Sequence, residues 1–121
     1  MFAGDLSLVL LFVESPARSC EFYKKLFNRE PLEASPTFCL FKLDNGIQLG
    51  CWSRHTAEPR VTAQPATSEI CFKDDNVDKV FSALQQLHIP MAQEVCDMDF
   101  GRTFVALDPD GHRIRFYKLH E

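Results

Sequence analysis

Residues 6–13, apolar except for Ser7, form a run closed by Glu14 and Ser15, the pattern of a strand buried on both faces. Ser15-Pro16 then reads as a helix start, with serine as N-cap and proline at the first helical position. The helix is expected to reach about Asn28 and to bury Cys20, Tyr23 and Phe27. Pro31 and Pro36 bracket a short extended piece, and residues 37–42 and 47–53 read as strands joined through Asp44-Asn45-Gly46, a hairpin signal. Residues 54–67 are rich in proline, threonine, alanine and charge, as a linker would be. A strand follows at 68–73, and Asp74-Asp75-Asn76 offers caps for a second helix. Its apolar face is Val77, Val80, Phe81, Leu84, Leu87 and His88, and Ile89-Pro90 stops it. Strands are expected at 92–96, 102–107 and 113–118, the last two joined by the turn Asp108-Pro109-Asp110-Gly111.

This order is a repeat. Residues 8–27 and 69–88 overlay without a gap, placing Leu8 on Glu69, Arg18 on Lys79, Tyr23 on Leu84 and Leu26 on Leu87. Further on, Gly46 falls on Gly111, Gly50 on Arg115 and Trp52 on Tyr117. The expected fold is therefore α+β: two tandem βαβββ modules, at about 5–54 and 67–119 with a linker at 55–66, in one domain. Concave mixed sheets carry the helices on their outer face. The other face is too apolar to be left wet, so it must close on the second copy or on a second chain. Either closure would make cup-shaped cavities.

Composition narrows the partners. The 121 residues are 45% hydrophobic and 25% charged, the usual globular balance, with a net charge of −4 and interleaved signs. That argues against nucleic acid or an anionic membrane as partner. The apolar run is far too short to span a bilayer, and the N-terminus lacks a signal-peptide pattern. The odd number of cysteines (Cys20, Cys39, Cys51, Cys71 and Cys96), with no C-x-x-C, reads as buried reduced thiols in a cytoplasmic protein. Eleven phenylalanines are more than a core this small needs, leaving aromatics to line a cavity.

Three segments carry a family resemblance: Val13-Glu14-Ser15-Pro16-Ala17-Arg18-Ser19-Cys20-Glu21-Phe22-Tyr23, Ser68-Glu69-Ile70-Cys71-Phe72 with the Asp-Asp pair after it, and Asp108-Pro109-Asp110-Gly111-His112-Arg113-Ile114. Together they resemble the vicinal oxygen chelate superfamily, which includes glyoxalase I, extradiol dioxygenases, and fosfomycin- and bleomycin-resistance proteins. Within it, Trp52-Ser53, Ser68-Glu69-Ile70 and Phe100-Gly101-Arg102-Thr103-Phe104 look most like phenazine-antibiotic resistance proteins, which bind an aromatic drug without altering it. The resemblance implies that enzymatic members hold a divalent metal on the first and last strands of each copy. Those positions here are Leu8, Gly50, Glu69 and Arg115. Leu8 and Gly50 have no side-chain donor, and Arg115 is a fixed cation without a lone pair; Glu69 alone cannot hold a metal. Shifting the register offers only Ser7, aliphatics or Gln48. His55, His88, His112 and His120 lie at the linker, a helix end, a turn and the terminus. No metal and no cofactor is therefore expected.

What replaces the metal is aromatic and ionic. If Gly50 and Arg115 face the cavity, alternation brings Trp52 and Tyr117 with them. Trp52, the single tryptophan, reads either as a core cap or as a stacking platform for a planar ligand. Glu69 and Arg115 read either as a structural ion pair or as a polar patch that orients a ligand. Phe38, Phe41, Phe100 and Phe104 are further wall candidates, and Asp99, Arg102 and Arg113 candidates for orienting a charged group on the ligand. The expected function is metal-free binding and sequestration of a planar aromatic small molecule, an antibiotic of the bleomycin- or phenazine-resistance type; the open sheet face and the resemblance together imply a homodimer whose cup-shaped cavities are walled by both subunits. The alternatives are a glyoxalase-like enzyme or a metal-independent lyase or isomerase using Glu69 as base.

Overall fold

The computed structural model describes residues 2–65 and 67–121, so Ala66, the last residue of the expected linker, lies outside the described residues. The chain divides into two compact units, Met1–Ala63 and Gln64–Glu121. Each is one βαβββ module with its own four-stranded mixed sheet, as the repeat anticipates.

The first module runs β1 (Leu8–Val13), α1 (Pro16–Phe27), β2 (Glu33–Ala34), β3 (Phe38–Lys42) and β4 (Gln48–Ser53), in spatial order β1-β4-β3-β2. β1 pairs parallel with β4, and β4 pairs antiparallel with β3. Ser15 caps α1 by accepting from the Arg18 N–H at 3.3 Å, and Asn28 ends it in the left-handed region. The Asp44-Asn45-Gly46 turn closes through the Asn45 side chain, which accepts from Ile47 N–H at 3.1 Å, and through Gly46 at φ +88°. Tyr23 and Phe27 of α1 meet Phe41 of β3 at ring-centroid distances of 6.4 and 5.6 Å, and Leu49, Cys51, Cys39 and Val13 complete this core.

β1 departs from the expected strand in two ways. Pairing begins at Leu8, leaving Leu6 exposed, and only Leu11 and Val13 are buried against the helix side. Val9, Leu10 and Phe12 are half-buried. An unbroken apolar run had suggested equal burial on both faces, but only one face lies beneath α1.

The second module runs β5 (Glu69–Lys73), α2 (Val77–Gln86), β6 (Met91–Met98), β7 (Gly101–Leu107) and β8 (Arg113–Leu119), in order β5-β8-β7-β6. Its core is a file of aromatics: Phe81 of α2 stands edge-on to Phe104 at 5.2 Å, Phe104 stacks on Phe116 at 5.0 Å, and Phe116 on Phe72 at 5.5 Å. Asn76 caps α2 by accepting from Lys79 N–H at 3.1 Å. The helix is shorter than its apolar pattern: it stops at Gln86, His88 takes a left-handed conformation, and Leu87 and His88 are exposed rather than part of the packed face. Register shifts bend β6 between Met91 and Cys96.

None of the five cysteines forms a disulfide. Cys20 on α1 and Cys39 and Cys51 on the sheet beneath it are buried, whereas Cys71 is exposed and Cys96 half-buried. No helix among the described residues is long and apolar enough to cross a membrane.

Candidate functional site

In the first module, alternation sends Leu10, Phe12, Phe38, Leu40, Gly50 and Trp52 to the face opposite α1. Leu10 lies opposite Gly50 on β1, and Phe38 lies opposite Trp52 on β3. A methyl group added at Gly50 would meet Leu10 Cδ2 at 2.8 Å and the Phe38 ring at 3.2 Å. The space above this glycine is therefore filled by hydrocarbon. Trp52 lies beside it, half-buried, its ring 6.2 Å from Phe12 and tilted by 34°. The result is a mostly apolar, aromatic face; the Gln48 amide shares it, and one amide oxygen is no donor set for a cation.

The second module has the same register and the opposite chemistry. The Asp108-Pro109-Asp110-Gly111 turn sets it: the buried Asp108 carboxylate accepts from the N–H of Asp110 at 2.9 Å and of His112 at 2.8 Å, fixing where β8 begins. Arg113, Arg115 and Tyr117 then share the face opposite α2. Arg115 donates from Nε and Nη2 to the two oxygens of Glu69 at 2.8 and 3.1 Å, a bidentate pair. Its Nη1 donates to Gln93 Oε1 and to the buried Thr103 hydroxyl, both at 3.1 Å. The Phe100 ring lies 5.9 Å from the guanidinium and 6.3 Å from the ring of Tyr117, edge to face. Arg113 Nη2 reaches Glu69 Oε2 at 2.5 Å.

Hydrogen bonds from Arg115 hold the Glu69 carboxyl below the usual carboxylate range against the opposing effect of burial, and Glu69 in turn raises Arg115. Glu69 is thus an ionised, fully engaged acceptor. The pair expected from sequence is present. It is not neutral, because Arg113 joins it and the group of three carries one net positive charge. Gln93, Thr103 and Met98, whose sulfur lies 4.0 Å from Arg115 Nη1, complete the cluster and were not anticipated. Thr103 was detectable in principle, since it faces Tyr117 on β7 as Phe38 faces Trp52 on β3.

A divalent metal does not fit these residues. Leu8 faces Gln48, Gly50 lies under hydrocarbon, and both oxygens of Glu69 accept from guanidinium groups. Among the described residues no three His, Cys, Asp or Glu side chains are grouped to hold an ion.

The other candidates separate by face. Phe41 and Phe104 are not cavity walls: both are completely buried on the helix side, where α1 and α2 pack. Arg102 shares that side with Phe104 and is clamped to Asp78 of α2 at 2.8 and 2.9 Å and to Asp97 at 3.1 Å, so it braces α2 rather than awaiting a ligand. Asp99 is exposed in the turn between β6 and β7. Phe38 and Phe100 do lie with the candidate faces.

Comparison with known proteins identifies the family. The family model "Glyoxalase/Bleomycin resistance protein/Dioxygenase superfamily" matches residues 6–116. The chain is 35% identical over 119 residues to the phenazine antibiotic resistance protein EhpR of Enterobacter agglomerans, covering 93% of this chain and 91% of that protein. The solution structure of protein ATC0852 from Agrobacterium tumefaciens superposes with a TM-score of 0.86 at 40% identity, covering 98% of this chain and all of that one. A lactoylglutathione lyase from Agrobacterium tumefaciens shares the fold at 18% identity and a TM-score of 0.77, over 95% of this chain and 93% of that one. With two βαβββ modules in register and a family match across nearly its whole length, the chain belongs to the glyoxalase/bleomycin resistance protein/dioxygenase superfamily.

Proposed function

We propose that the protein binds and sequesters a planar aromatic small molecule, an antibiotic of the phenazine- or bleomycin-resistance type, without a metal and without altering it. One observation carries the reading: the strand positions that hold a dication in enzymatic members of the superfamily present a glycine roofed by Leu10 and Phe38, and an arginine bound to Glu69. Beside them stand Trp52 with Phe12, and Tyr117 with Phe100, flat rings suited to a flat ligand. The likeness to a phenazine antibiotic resistance protein supports the same class of ligand.

In this reading the first module's face offers Trp52 for stacking, the second module's face offers Tyr117 and Phe100 as borders and the Glu69–Arg115 pair to orient a polar edge, and a homodimer closes the cavities. Burying ~250 Å² of apolar ligand surface contributes about 6 kcal/mol before ordering costs, and stacking about 1 more. Roughly micromolar affinity follows. The enzymatic alternative, with Glu69 as general base, is disfavoured because two guanidinium groups keep that carboxylate ionised and weakly basic.

The single tryptophan makes the test direct. Phenazine is expected to quench Trp52 fluorescence saturably. Trp52→Ala, followed by a change in the ligand's own absorbance, is expected to weaken binding several-fold. Unchanged affinity in that variant removes Trp52 from the site.

A further inference from the structure

On β8 the side chains run from aromatic to ionic along one face: Tyr117, then Arg115, then Arg113. Successive members are about 7 Å apart along the strand, a step matched to the width of a fused aromatic ring system. The two arginines differ in what remains for a ligand. Arg115 is nearly saturated, with both carboxylate oxygens of Glu69, Gln93 and Thr103 on its nitrogens and only 14% of its side chain exposed. Arg113 touches Glu69 through Nη2 alone, its side chain is 41% exposed, and its Nε is closed off without a hydrogen-bond partner. Glu69 meanwhile cannot neutralise both. Its two oxygens already accept from both guanidiniums, and the cluster of one carboxylate and two arginines keeps a net positive charge on a face otherwise lined by Gln93, Thr103, Met98 and Phe100.

We infer that this face selects planar aromatic ligands carrying an anionic group, a carboxylate in the simplest case, which Arg113 receives while the ring system lies towards Phe100 and Tyr117. The inference rests on the binding function proposed above and adds the ligand's charge. Arg115 is the positioning residue, holding Glu69 and thereby the Arg113 head. Arg113 is the residue that meets the ligand, since a guanidinium with exposed nitrogens offers a carboxylate parallel donors.

Two probes with the same ring system test it at about pH 7.5, where a carboxylic acid is ionised: phenazine and phenazine-1-carboxylate, each titrated by the change in its own absorbance. The wild type is expected to bind the carboxylate about 10-fold more tightly, and added salt is expected to shrink that preference. Arg113→Gln is expected to abolish the preference by lowering affinity for the carboxylate about 10-fold, and Arg113→Lys to restore part of it. Equal affinity of the wild type for both probes overturns the inference by itself, whatever the variants do, as does a preference that survives Arg113→Gln. If neither probe binds the wild type, the binding function itself fails and the inference with it.

Discussion

Glu69 is the side chain on which most of the second module's polar face depends. Its carboxyl is held below the ordinary value of 4.5, first by its hydrogen bonds from Arg115 and then by the charges of Arg115 and Arg113. A depressed carboxylate stabilises the folded chain at pH values above 4.5 and loses that contribution as pH falls through the lower folded value. Glu69→Gln is therefore expected to cost about 1–3 kcal/mol at neutral pH, because two arginines lose their shared acceptor. It should also flatten the acid limb of stability below about pH 4.5. Urea melts across pH measure both, and an acid limb as steep as the wild type's would show that the pair carries no stability. The pairing of Glu69 with Arg115 was legible in the sequence, because the repeat places both on the strands that matter. Arg113 was legible only as a candidate for orienting a charged ligand group, and its contact with Glu69 was not. It depends on the pairing register, which sets Arg113 directly opposite Glu69, and on side chains long enough to converge on one carboxylate.

Phe100 and Phe104 lie four residues apart and do different work. Phe104 is fully buried between Phe81 and Phe116, so Phe104→Ala is expected to cost about 3–5 kcal/mol by leaving a cavity. Phe100, 39% exposed and beside Arg115, is expected to cost under about 1 kcal/mol when changed to alanine, yet to weaken phenazine binding. Chemical denaturation alongside the titration separates the two. Equal loss of stability would contradict the division of faces. The elements themselves were readable from caps, turns and alternation: Ser15-Pro16, Asn76 and the two glycine turns all stand where the pattern put them. Assigning faces was harder, because both faces of β3 and β7 carry large apolar groups. Period alone then cannot say which side the helix covers; Phe41 and Phe104 stand as wall candidates in the sequence, and the structure puts both on the helix side.

The two modules carry one register with unlike contents, hydrocarbon around Gly50 and ions around Arg115, so neither face offers the donor set a dication needs. An aromatic, half-buried face such as that of Leu10, Phe12, Phe38 and Trp52 is costly to leave in water. Light scattering is accordingly expected to give twice the 13.9 kDa chain mass; a monomer at micromolar concentration would remove the homodimer from the proposal. The sequence showed the modules because repetition is visible in one dimension, but it could not show the proposed ligand face, which is assembled from strands far apart in the chain. Ligand capture without metal and without conversion is tested most directly by equilibrium dialysis of chelator-treated protein against phenazine, followed by mass spectrometry of the recovered ligand. The expected result is stoichiometric binding, unchanged when zinc, nickel or manganese is restored, with phenazine recovered intact. Binding that appears only when metal is restored, or a recovered ligand of altered mass, would contradict it.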